Sequence, residues 1–71
     1  MVHLKNSAEA FALVKSNGAR ARCAVWSHMF GWELVLEING SLYASQVCRN
    51  SEQILTTQEQ WKKAMLDKGW Q

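Results

Sequence analysis

Residues 31–49 read GWELVLEINGSLYASQVCR. Trp32, Leu34, Leu36 and Ile38 occupy every second position up to Asn39-Gly40. A period of two is that of a strand with one buried face. Asn-Gly is a strong hairpin signal, because both residues tolerate the positive φ that a type I′ turn needs. The stretch therefore predicts two antiparallel strands, 32–38 and 41–49, joined at 39–40. This turn sets Ile38 opposite Ser41, Leu36 opposite Tyr43, Leu34 opposite Ser45 and Trp32 opposite Val47.

Toward the N-terminus, ARARCAVWS at 19–27 reads as another strand, with HMFG at 28–31 as a four-residue loop. Val25 then faces Leu34, Cys23 faces Leu36 and Ala21 faces Ile38, which gathers one core face. The opposite face collects Arg20, Arg22, Ala24, Trp26, Glu33, Val35, Glu37, Leu42, Ala44 and Gln46. Arg22 falls across from Glu37, and opposite charges across a ladder are mildly favourable. Arg20 and Arg22 lie along one edge of this face.

Helices are expected on both flanks. Residues 7–17 read as the first, with a capping box from Asn6 and Glu9, a broad apolar stripe through Ala10, Phe11, Leu13 and Val14, and a stop at Asn17-Gly18. Residues 50–56 read as a connector whose Ile54 and Leu55 tuck into the core edge. Residues 57–68 read as the second helix, capped by Thr56 with Glu59 or Thr57 with Gln60, and anchored by Trp61 and Met65. Gly69 ends it in the left-handed conformation, and Trp70 packs back in a Schellman motif, partly buried. The expected fold is α+β, a two-layer sandwich of order α-β-β-β-α. It has a three-stranded antiparallel meander with both helices on one face. One compact domain spans 1–71.

Seventy-one residues support only a small core. Four Trp favour stabilisation by packing, and Trp is also enriched at interfaces. The net charge of +2 is too mild to mark a nucleic-acid binder. Residues 1–6 lack a signal-peptide pattern, and no apolar run approaches the ~20 residues of a membrane span. A soluble, cytoplasmic protein is expected, with no membrane association.

His3, Cys23, His28 and Cys48 are spaced unlike the ligand pairs of structural zinc sites, so no metal and no cofactor are expected. The register puts Cys23 on the core face and Cys48 on the other, which argues against a disulfide. Glu33 and Glu37 are about 13 Å apart along a strand, too far for a carboxylate pair in glycoside chemistry. A core-facing Cys23 lacks the setting that would activate it toward His28 as a base. No phosphate-binding loop is present. No catalytic residue is assigned, and a non-enzyme is expected.

What remains is the face opposite the core. Trp and Arg dominate binding hot spots, so Arg20, Arg22, Trp26, Val35 and Leu42 are assigned to contact with another protein, a second copy included. The competing reading is nucleic acid. SHMFGW lies in the loop after the first strand and WKKAM lies in the last helix. In element order the chain resembles double-stranded RNA-binding domains, which use such a loop and lysines near the start of their second helix. The resemblance implies structured-RNA contact through His28, Lys62 and Lys63. It covers most of the chain in topology and almost none in motif, and it is not favoured.

Overall fold

A computed structural model describes residues 7–71. Among the described residues four strands precede one helix: β1 (Ser7–Val14), β2 (Arg20–His28), β3 (Gly31–Ile38), β4 (Ser41–Cys48) and α1 (Ser51–Asp67). The strands form one antiparallel sheet in the order β1-β2-β3-β4, a meander in chain order. The α+β class stands, but as β-β-β-β-α. The order shared with double-stranded RNA-binding domains is therefore absent.

The first helix is replaced by β1. Phe11 and Leu13 are buried while Ala12 and Val14 are exposed, so residues 11–14 obey a period of two. Ala10 is an extra residue that shifts the phase between Glu9 and Phe11 and sets Glu9 on the same face as Ala12. Over so few residues Phe11, Leu13 and Val14 fit either period, and the open edge of β2 decides between them. Asn17-Gly18, expected to stop a helix, instead turns a hairpin. The Gly18 N–H donates to the Lys15 carbonyl at 3.0 Å and the Lys15 N–H to the Ala19 carbonyl at 2.9 Å. Asn17 Oδ1 accepts from the Ala19 N–H at 3.0 Å, and Gly18 has φ +91°. This is a three-residue loop closed by a left-handed glycine. Of the expected Asn6–Glu9 capping box, Asn6 lies outside the described residues, as does His3.

The β2–β3 register is the expected one, with Ala21 opposite Ile38, Cys23 opposite Leu36 and Val25 opposite Leu34. The loop is shorter: His28 already faces Gly31, leaving Met29-Phe30 as the turn. The even change in loop length leaves every side chain on its expected face. Asn39 and Gly40, at φ 52° and 83°, make the anticipated turn between β3 and β4.

The β3–β4 register departs from expectation after two pairs. Ile38 faces Ser41 and Glu37 faces Leu42, but Leu36 then faces Ala44, Leu34 faces Gln46 and Trp32 faces Cys48. Tyr43 is the extra residue of a β-bulge, and a slip of one residue exchanges the faces beyond it. Ala44, Gln46 and Cys48 thus move to the helix side, and Ser45 and Val47 to the open side.

Helix α1 begins six residues earlier than expected. Asn50 caps it, accepting from the Gln53 N–H at 2.8 Å, while Gln53 Oε1 accepts from the Arg49 N–H at 2.7 Å. Thr57, offered as a cap, is instead buried inside the helix, where its Oγ1 accepts from Gln46 Nε2 at 3.4 Å. At the far end Gly69 has φ +96°, its N–H donates to Leu66, and the Trp70 N–H donates to the Met65 carbonyl at 3.1 Å. This is the anticipated Schellman geometry. Trp70 goes further into the core than expected, to 7 % exposure, with Lys15 Nζ 5.1 Å from its ring centre. Gln71 then exchanges two backbone hydrogen bonds with Val14, at 2.8 and 2.9 Å, which covers the end of edge strand β1.

The core lies between α1 and one sheet face: Phe11, Leu13, Ala21, Cys23, Leu34, Leu36, Cys48, Met65 and Trp70. Trp32, expected among them, is 41 % exposed. It stands in the last row of the sheet, opposite Cys48, where the chain leaves to form a helix that runs away from it.

Candidate functional site

No helix of the described residues lies over the second sheet face. The molecule measures 38 × 29 × 15 Å, and its short axis accommodates one sheet and one helical layer. The strand registers arrange the open face in rows. Ala12, Arg22, Glu37 and Leu42 form one; Glu9, Ala24, Val35 and Ser45 the next; Ser7, Trp26, Glu33 and Val47 the third. Arg20 stands beyond the first row, opposite Val14.

All five residues assigned to partner contact share this face. Arg20 and Arg22 are exposed, Trp26 and Val35 are half-buried, and Leu42 is 67 % exposed. Strand β1 changes their setting. Because β2 is an interior strand, the arginines lie within the face and not along its edge. Glu9 from β1 reaches Arg22, with Oε1 3.3 Å from Nε. Both side chains are more than half exposed, so this ion pair orients the guanidinium and adds little stability. A shallow concavity opens between Glu9, Ala12, Arg20, Arg22 and Glu37. Glu9, Ala12 and Val14 are the residues of this face that a helical reading of 7–17 hides. The bulge removes Ala44 and Gln46 from it and adds Ser45 and Val47.

The face is therefore mixed in character. Two guanidinium groups and the carboxylates of Glu9, Glu33 and Glu37 surround an apolar path through Leu42, Val35, Trp26 and Val47. Such a surface offers dry contact and directional charge together.

The residues of the competing reading are not brought together. His28 ends β2, where its Nδ1 accepts from the Phe30 N–H at 3.1 Å and its ring lies 5.7 Å from that of Phe30. Lys62 and Lys63 are exposed on α1, about 17 Å along the helix from its start at Ser51.

Both cysteines are free, buried and on the helix side of the sheet, which corrects the expected outward placement of Cys48. Cys23 is opposite Leu36 and Cys48 opposite Trp32, on strands separated by β3. Four residues along that strand are about 13 Å, far beyond disulfide reach. Burial pushes the Cys23 thiol up to about 11, away from the thiolate that nucleophilic chemistry needs. Among the described residues no group of three or more His, Cys, Asp or Glu side chains stands together as a metal site. No helix of the described residues is long and apolar enough to cross a membrane.

Compared with known proteins, the chain matches no family model, no curated protein and no solved structure.

Proposed function

We propose that the chain is a small non-enzymatic accessory or regulatory module that binds another protein through the open face of its sheet. One observation carries the reading: with α1 on one side only, Trp26, Val35 and Leu42 stand in successive rows of an uncovered face that also presents Arg20 and Arg22. Trp26 is the aromatic anchor, Val35 and Leu42 supply dry area, and the arginines set orientation.

The test is capture of partners by the immobilised protein after nuclease treatment, comparing wild type with Trp26→Ala and with the pair Lys62→Ala/Lys63→Ala. The reading expects a protein retained in moderate salt, lost with Trp26→Ala and unaffected by the lysine changes. Capture that vanishes with nuclease, falls steeply with salt and depends on the lysines overturns it in favour of nucleic acid.

A further inference from the structure

Helix α1 carries a second stripe besides the one packed on the sheet. Ile54, Thr57, Trp61 and Met65 turn toward the strands. Leu55, Glu59, Lys62 and Leu66 follow one another at spacings of four, three and four, the seam spacing of a coiled coil. All four are exposed, Leu55 at 57 % and Leu66 at 46 %. Glu59, Lys62 and Leu66 line one shallow groove along the helix. Leu55, expected at the core edge, falls on this flank because the helix starts at Ser51 and so fixes its phase.

The stripe reads Leu-Glu-Lys-Leu and is symmetric about the midpoint between residues 60 and 61. Laid antiparallel on itself, it sets Leu55 against Leu66 of a second copy in both outer layers. It also sets Glu59 against Lys62 in both inner layers. The contact is self-complementary about a two-fold axis, as an isologous dimer requires. A parallel arrangement would instead oppose Glu59 to Glu59 and Lys62 to Lys62. Among the described residues the ion pair joins Arg22 and Glu9, and neither Glu59 nor Lys62 is in an ion pair with another described residue.

We propose that α1 pairs with α1 of a second copy, antiparallel, through Leu55, Glu59, Lys62 and Leu66. The contact is smaller than a standard stable interface, and its inner layers are charged. The dimer is therefore weak and exchanges readily. It lies on the helix side of the molecule and leaves the open sheet face available to another protein.

Sedimentation velocity at rising concentration and low salt tests this. Wild type sediments increasingly as a dimer. Glu59→Lys and Lys62→Glu each weaken association about tenfold or more, because like charges then meet in both inner layers. Mixing these two variants restores dimers, and the double exchange Glu59→Lys/Lys62→Glu restores them within one chain. Leu66→Ala weakens association about tenfold, through lost apolar burial. All these positions are exposed, so the fold is retained, as circular dichroism will show. A chain that stays monomeric at about 1 mM overturns the proposal, since it leaves association below a useful range. So does a dimer indifferent to both charge reversals. A dimer broken by Trp26→Ala, or by Ser45→Lys on edge strand β4, also overturns it and moves self-association to the sheet.

Discussion

Gly31 shows how a single residue governs where this chain folds. It stands at φ +135°, and a Cβ there would collide with the backbone carbonyl of Cys48. The position joins a backbone region that L side chains rarely adopt to a close approach of β3 and β4. Gly31→Ala should therefore cost more than about 2 kcal/mol, read as a lower urea midpoint with an unchanged slope. Gly40→Ala meets no neighbour and should cost less, through its positive φ alone. Cys23 gives a second prediction at this scale. Its thiol is raised from 9.0 to about 11 by burial, so between those values the unfolded chain releases a proton that the folded chain keeps. Stability contributed by the protonated thiol is complete below pH 9 and is lost as pH rises toward 11. Cys23→Ala removes that component. Urea denaturation of both proteins across this window should show the wild type losing stability relative to the variant. Equal slopes for the two would remove burial as the cause.

Turns and bulges decide the arrangement of whole elements. Asn50→Ala should cost about 1 kcal/mol, through loss of the bond to the Gln53 N–H, with helical circular dichroism retained but melting earlier. Asn50-x-x-Gln53 was readable as a capping box, yet Thr56 and Thr57 offer the same pattern nearer the periodic stripe. The β2–β3 and β3–β4 hairpins were legible because Trp32, Leu34, Leu36 and Ile38 alternate cleanly around Asn39-Gly40. Asn17-Gly18 carries the same dipeptide, but Ala8, Glu9, Ala10 and Leu13 all favour helix, and pairing with β2 overrides that preference. The bulge at Tyr43 was not legible. Nothing in SLYASQVC marks an extra residue, and the shift becomes visible only when Cys48 is found buried beside the helix. At the candidate site, Arg20, Arg22, Trp26, Val35 and Leu42 keep their expected face because all lie before the bulge. Ala44 and Gln46 lose it because they lie after.

At the scale of the molecule, one helix on a four-stranded sheet yields two unlike sides. The helix side holds the stability: Trp70 is buried among Phe11, Leu13 and Met65, and Gln71 closes the edge of β1. Trp70→Ala should cost about 3–5 kcal/mol, a large part of what so small a domain has, and thermal melting would record it. Trp26→Ala, on the open side, should shift the same melt far less. The open side is where we place binding. The most direct measurement replaces Leu42 with a photoactivatable amino acid, and Lys63 with the same residue as the control, then irradiates each protein in lysate treated with nuclease. Leu42 is 67 % exposed on the open face and Lys63 is exposed on α1, so either replacement leaves the core intact. One discrete adduct to a different protein is expected from position 42, suppressed by Trp26→Ala, whereas position 63, beside the α1 groove, is expected to give at most an adduct to a second copy of this chain. An adduct to a different protein formed from position 63 but not from position 42 would contradict the sheet-face reading and place that binding surface on the helix.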